Sequence, residues 1–255
     1  MTWDPKTYTR FAAPRLRPAQ DLLARVGAED PAVVADLGCG TGTVTRLLAR
    51  RWPRARVIGV DSSAEMLDEA GADTARLAWV RADIAAWEPD RPLDVVFSNA
   101  ALHWLDDHAA LFPRLMAMLA PGGWLAVQMP RNHGAPSHTE MVAAVRSGPW
   151  RERLEPLLRP GPVAEPAFYH DALAPLVSEL DLWETEYLQV LEGEDPVVEW
   201  TRGTALKPLL DALAEPDRAA FLADYRDRMR AAYPRRPDGR TLFPFRRLFL
   251  VARKA

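Results

Sequence analysis

The sequence predicts an α/β fold in which a mostly parallel sheet is wrapped by helices. Three observations carry this. Strand-like and helix-like segments alternate at short intervals through the first half of the chain. A glycine-rich turn joins the first strand to the first helix, and polar residues recur where successive strands end. Ala32–Leu37 (AVVADL) reads as a short buried strand. Thr43–Trp52 reads as a helix, with Val44, Leu47, Leu48 and Trp52 on one face. Arg56–Asp61 is the second strand, and Ser62–Ala70 is a helix opened by a capping serine with acids in its first turns. Leu77–Ala82 and Leu93–Asn99 are the third and fourth strands. Asp106–Leu119 has helical period, kinked or shortened by Pro113. Pro121-Gly122-Gly123 is a turn before the fifth strand, Trp124–Met129.

Beyond Pro130 the pattern changes. Residues 137–158 read as helical, 159–166 as a proline-rich loop, and Leu180–Val190 alternates like a strand. Asp195-Pro196 is a helix start. Helical segments follow to Tyr233, broken at Gly203 and Pro216, before a final strand at Phe245–Ala252. A single domain spanning 1–255 is expected, with the helical block 195–235 inserted between the last two strands as a lid over one edge of the sheet.

Composition sets the outer limits. The chain has 255 residues, 48% apolar and 26% charged, which is globular composition. Net charge is −3, so the whole chain has no bias toward nucleic acid or anionic membrane. Residues 225–255, however, carry ten basic and two acidic residues. A lone cysteine, Cys39, excludes a disulfide framework, and a small buried role suits it better than a reactive one. The five histidines are scattered, and no metal ligand set is expected. No apolar run reaches membrane-spanning length and the N-terminus lacks a signal-peptide core, so a cytoplasmic protein is expected.

The sharpest signal is Asp36-Leu37-Gly38-Cys39-Gly40-Thr41-Gly42. Glycines there let the chain turn tightly and let a ligand approach the backbone. The spacing is not that of the dinucleotide fingerprint, and Asp36, directly before the loop, would repel a pyrophosphate. It suits a ligand carrying an ammonium group. Asp61 ends the second strand 19 residues past Gly42, where a carboxylate accepts hydrogen bonds from a ribose diol. Asp83 ends the third strand, suited to an exocyclic amine, with Ile84 as an apolar face for adenine. Asn99 ends the fourth strand, beside the expected amino-acid end of the ligand. Singly, such residues are ordinary turn or cap positions. Jointly they describe a crevice for an adenosyl ligand at the carboxyl edge of an open sheet.

This constellation resembles that of the class I S-adenosylmethionine-dependent methyltransferases, whose D-x-G-x-G-x-G loop matches Asp36–Gly42. The resemblance implies a Rossmann-like, seven-stranded sheet with helices on both faces, its last strand antiparallel. It also implies S-adenosylmethionine as cofactor, leaving as S-adenosylhomocysteine. The implied cofactor residues are Asp36, Gly38, Gly40, Asp61, Ser62, Asp83, Ile84 and Asn99. A narrower resemblance, to the branch of that family that esterifies trans-aconitate, rests on Tyr8–Phe11, Arg15–Ala19, Asn99–Trp104, Leu125–Pro130, Trp200–Pro208 and Arg247–Arg253. It implies methyl transfer to a carboxylate of a small polycarboxylic acid.

A carboxylate is already anionic at neutral pH, so its methylation needs neither a general base nor a metal. No catalytic acid or base is therefore expected, only positioning and desolvation. Arginines should hold the carboxylate that does not react, because clamping the attacking oxygen would dull it. The candidate substrate residues are Tyr8, His103, Trp104, Trp200, Arg202, Lys207 and Arg247. Two rival readings exist. The basic 225–255 segment raises a nucleic-acid methyltransferase, but the chain is net acidic and Asn99–Leu102 lacks an N-P-P-Y-type tetrapeptide. A cofactor-binding module without turnover is the second, against which the cofactor motif is undamaged. No membrane, nucleic-acid or obligate protein partner is expected.

Overall fold

The computed structural model describes residues 12–255 apart from 160 and 162, with side chains from Leu16 onward. Its elements in chain order are α1 (Ala12–Leu23), β1 (Val33–Leu37), α2 (Thr43–Arg51), β2 (Arg56–Asp61), α3 (Ala64–Ala70), β3 (Leu77–Arg81), β4 (Leu93–Asn99), α4 (His108–Ala117) and β5 (Leu119–Pro130). Then come α5 (Pro136–Ser147), α6 (Arg151–Leu154), α7 (Pro166–Leu173), β6 (Val177–Leu191), α8 (Pro196–Arg202), α9 (Lys207–Asp211), α10 (Asp217–Ala232) and β7 (Thr241–Lys254). The strands form one seven-stranded sheet in the order β3-β2-β1-β4-β5-β7-β6. Strands β1 to β5 pair in parallel, and β7 runs antiparallel to β5. The order reverses at β1, between β2 and β4, which makes their carboxyl ends the switch point where ligands bind open sheets.

The chain divides into two compact units. One holds 15–130, 162–185 and 247–255, and the other holds 131–161 and 186–246. In the first, one sheet face carries Val33, Ala35, Leu37, Ile58, Val60, Leu125, Val127, Leu248 and Leu250 against Phe112, Leu115 and Tyr169. Side chains alternate across a strand. The opposite face therefore receives Val34 and Asp36 of β1, Gly59 and Asp61 of β2, Phe97 and Asn99 of β4, Gln128 of β5, and Arg247 and Phe249 of β7. The helical unit has its own core, with Met141, Val145, Trp150, Leu154, Val198, Leu209, Phe221, Tyr225 and Phe243. The helices between 195 and 235 lie in this unit together with α5 and α6.

Local differences from the sequence reading have identifiable causes. The helix after β2 starts later than expected, because Ser63 rather than Ser62 is the cap: its side chain accepts from the Met66 backbone N–H. Helix α4 is shorter at both ends than 106–119. Its cap is Asp107, at φ 51°, whose side chain accepts from Ala110 N–H, and Pro113 is accommodated inside it. Leu119 already pairs with Leu93 before the Gly122 turn, across an irregularity between Leu93 and Val95. Helices α1 and α7 were not anticipated.

Candidate active site

The glycine loop is held from two sides. Gly38 and Cys39 N–H both donate to the Val60 carbonyl, at 2.8 and 3.1 Å. Gly40 N–H donates to Asp61 Oδ2 at 2.8 Å, and Ser63 N–H to Asp61 Oδ1 at 2.9 Å. Gly38 has φ +75°, and a side chain there would collide with Ala101 of the loop after β4. Gly40 has φ +54°, and nothing in the described chain lies within 4 Å of where its Cβ would be. The turn thus presents bare backbone beside a carboxylate fixed in place, with one lone pair on each Asp61 oxygen still available.

Asp36 lies beneath this turn rather than on its surface. It is 1% exposed and accepts from Thr45 Oγ1 at 2.6 Å. Burial raises its pKa from 3.8 to about 7, opposed by the Thr45 hydrogen bond and helped by the nearby charge of Asp61. Cys39 is buried, and desolvation with the two aspartates pushes its thiol pKa upward, so it is a packing residue without thiolate character. Ser62 is exposed.

Asp83 is exposed and closes its own turn, with Oδ1 accepting from Ala85 N–H at 2.9 Å. Ile84 is half-buried, and its backbone is fixed by Arg114, which donates to the carbonyls of Ile84 and Trp87. Asn99 sits at the end of β4, opposite Gln128 of β5. Its Oδ1 is buried with no hydrogen-bond partner among the described residues. An unpaired buried acceptor, an open glycine and an anchored carboxylate at the carboxyl ends of β4, β1 and β2 fit an adenosyl ligand bearing an ammonium group.

The candidate substrate residues separate into groups. Tyr8 lies outside the described residues. His103 and Trp104 form a 3₁₀ turn after β4, with ring centroids 4.7 Å apart. Arg247 is 4% exposed, and its Nη1 donates to Gln128 Oε1 at 3.2 Å. In the helical unit, Trp200 is buried edge-on against Phe243. Arg202 pairs with Glu199 at 3.3 Å and Lys207 with Asp211 at 2.7 Å. The structure therefore brings Asp36, Asp61, Asn99 and Arg247 to one sheet face, while Trp200 packs in a separate core and the other two cations have acids of their own.

Sequence reasoning missed two groups. Gln128 is fully buried on the same face, and its only sequence signal is an amide inside an apolar strand. His108 is also buried. Its Nε2 faces the Leu102 carbonyl at 3.0 Å, so that nitrogen carries the proton; Nδ1 then accepts from Tyr169 Oη at 2.7 Å, while Tyr169 accepts from Ala164 N–H. This relay holds the turn that carries His103 and Trp104.

A family model described as a methyltransferase domain matches residues 34–123. The trans-aconitate 2-methyltransferase of Azoarcus sp. strain BH72 is 52% identical over 98% of this chain and 98% of its own. That of Methylobacterium radiotolerans is 49% identical over 99% of this chain and 98% of its own. The chain belongs to the trans-aconitate 2-methyltransferase family. Among solved structures, phosphoethanolamine N-methyltransferase 2 of Haemonchus contortus, which holds S-adenosylhomocysteine, superposes with a TM-score of 0.56 at 17% identity, over 93% of this chain and 52% of that one. The fold is thus the Rossmann-like methyltransferase fold, and the protein is an S-adenosylmethionine-dependent methyltransferase.

Two outcomes are expected. Asp61→Ala removes charge-assisted acceptors from the ribose position and should weaken S-adenosylhomocysteine binding by about 2–4 kcal/mol in a calorimetric titration; affinity within threefold of the parent, in a folded variant, contradicts the assignment. Asp36 favours the fold while protonated, and that contribution is lost as pH rises from 3.8 through about 7. Asp36→Asn, which still accepts from Thr45, should therefore be more stable than the parent at pH 8, by on the order of 2–4 kcal/mol in urea denaturation. At pH 4 that advantage should largely vanish, and an equal difference at both pH values contradicts the buried-acid reading.

Proposed function

We propose that this protein esterifies one carboxylate of trans-aconitate, in the cytoplasm, and that the acid lies on the sheet face that carries Arg247. The observation that carries the reading is the order of polar groups along that face. Asp61 and Asp36 stand on β2 and β1, Asn99 on β4, and the buried Arg247 on β7. Cofactor recognition and anion recognition are thereby separated along one line. The substrate named for the relatives is a polyacid, and the chain shares about half its residues with them along nearly its whole length.

S-adenosylmethionine, when bound, supplies an electrophilic methyl group on a sulfonium. Asp61 orients its ribose, and the Asn99 amide oxygen suits its ammonium group, with Asp83 and Ile84 at the adenine. Arg247, in a dry setting where its charge is only weakly screened, holds a carboxylate that does not react. The reacting carboxylate stays unclamped and needs no proton removed. What the protein contributes is alignment in line with the methyl group and exclusion of water.

The basic segment 225–255 supports a small-molecule substrate over a nucleic acid, because most of its cations are engaged within the protein. Arg226 and Arg230 pair with Asp195, Arg228 with Glu140 and Asp224, Arg240 with Glu192, and Arg253 with Glu179. Lys254 donates to the Leu119 carbonyl. Few of these charges remain for tracking a phosphate backbone.

Incubation with methyl-labelled cofactor, a panel of polycarboxylates and RNA should place base-labile label on trans-aconitate and none in RNA. Arg247→Leu should lower kcat/KM for trans-aconitate by roughly 10- to 150-fold while leaving S-adenosylhomocysteine affinity nearly intact. The monocarboxylate crotonate should be a poor substrate. Equal turnover of crotonate and trans-aconitate by the parent, or label in RNA alone, overturns the reading.

A further inference from the structure

Gln128 is the polar residue of the sheet face that neither fold nor cofactor explains. It interrupts an apolar strand and is 0% exposed. A primary amide brings two N–H donors and one oxygen. The oxygen is assigned by its partner, since the Arg247 guanidinium that meets it at 3.2 Å can only donate. That leaves Nε2 as the other end of the amide, buried with no hydrogen-bond partner among the described residues. Buried donors are rarely left unmade, because their lost hydration is then uncompensated.

The surroundings restrict what could satisfy it. Gln128 is fixed at its backbone, where its carbonyl accepts from Ala100 N–H at 2.9 Å. Ala100 has φ 55°, a strained conformation for a residue with a side chain, which this contact helps to hold. Asn99 is the register partner of Gln128, so their side chains share a face. On that face the acceptor, Asn99, lies on β4 beside the cofactor strand β1, whereas the donor, Gln128, is tied to Arg247 on the β5–β7 side. An acceptor suits an ammonium group, and a donor beside a guanidinium suits an anion.

We infer that Gln128 is a substrate-binding residue: its Nε2 donates to the carboxylate that Arg247 holds, while its oxygen keeps the guanidinium oriented. The inference rests on the polyacid reading above and deepens it. A neutral amide adds hydrogen-bonding direction to the anion site without adding charge, so the reacting carboxylate is not dulled by a second cation. It also gives the site a shape requirement that a guanidinium alone would not impose.

The test is calorimetric titration of trans-aconitate into protein saturated with S-adenosylhomocysteine, which reads acid binding without turnover. Gln128→Met removes the donors and should weaken acid binding about tenfold. Gln128→Glu has the same shape but replaces the donors with a charge that pairs with Arg247 and repels the acid, so it should weaken binding about a hundredfold. Both variants should keep S-adenosylhomocysteine affinity within threefold of the parent, which also shows that they are folded. A purely structural role predicts the reverse order, because the isosteric Glu, paired with Arg247, would be the milder change. Acid affinity within threefold of the parent in both variants, or Glu milder than Met, overturns the inference and leaves the polyacid reading standing. A loss of S-adenosylhomocysteine affinity matching the loss of acid affinity assigns the amide to the cofactor and overturns it too. A parent that binds no trans-aconitate overturns both readings together.

Discussion

The Asp61 carboxylate accepts Gly40 N–H with one oxygen and Ser63 N–H with the other, at 2.8 and 2.9 Å. Through these two contacts one side chain fixes the glycine turn after β1 to the end of β2 and to the start of α3. An anion there is favourable because each donor is a backbone N–H that would otherwise lack a partner at a loop or helix terminus. The same carboxylate keeps a lone pair on each oxygen, so the group that shapes the loop is also the group that can read a diol. Its neighbours are arranged around it. Gly38 is tied to Val60 of the same strand, and Asp36 lies below with its charge disfavoured by burial and by Asp61 itself.

From that anchor the polar groups run across one sheet face to Arg247. Parallel register sets the line: Asp36 stands opposite Gly59 and Phe97, and Asn99 opposite Gln128. Antiparallel β7 then returns Arg247 opposite Pro130, two residues beyond Gln128 and on the same face. Buried polar groups are costly unless paired. Here the partners are partly internal, as in Thr45 with Asp36 and Gln128 with Arg247, and partly unassigned within the described residues, as at Asn99 Oδ1 and Gln128 Nε2. The opposite face is apolar and carries the core, so one side of the sheet holds the fold together and the carboxyl end of the other gathers the buried polar groups.

The parts legible in the sequence are those governed by local rules. Alternating strand and helix signals yield the parallel sheet, and the glycine turn and the strand-end acids fall at its carboxyl edge as expected because each residue is read from its own element. The cap at Ser63 rather than Ser62 is a one-residue error of the kind that only the hydrogen bond to Met66 resolves. Helix α1 was obscured by Pro18 inside it. Gln128 and His108 were illegible for a different reason. Their roles depend on Arg247, 119 residues away, and on Tyr169, 61 residues away. Lys207, a candidate substrate residue, has Asp211 as its partner one helical turn on, a spacing that the sequence does display. Segment 225–255 looked like a basic surface because the acids that neutralise it lie mostly outside that segment.

In the function proposed for this protein, one sheet face reads the cofactor at β1, β2 and β4 and an anion at β5 and β7. The most direct measurement is a crystal structure with S-adenosylhomocysteine and trans-aconitate both bound. The ribose hydroxyls are expected on the Asp61 carboxylate and one carboxylate of the acid on Arg247, with another carboxylate unclamped and directed at the sulfur. An acid bound away from the Arg247 guanidinium would contradict this.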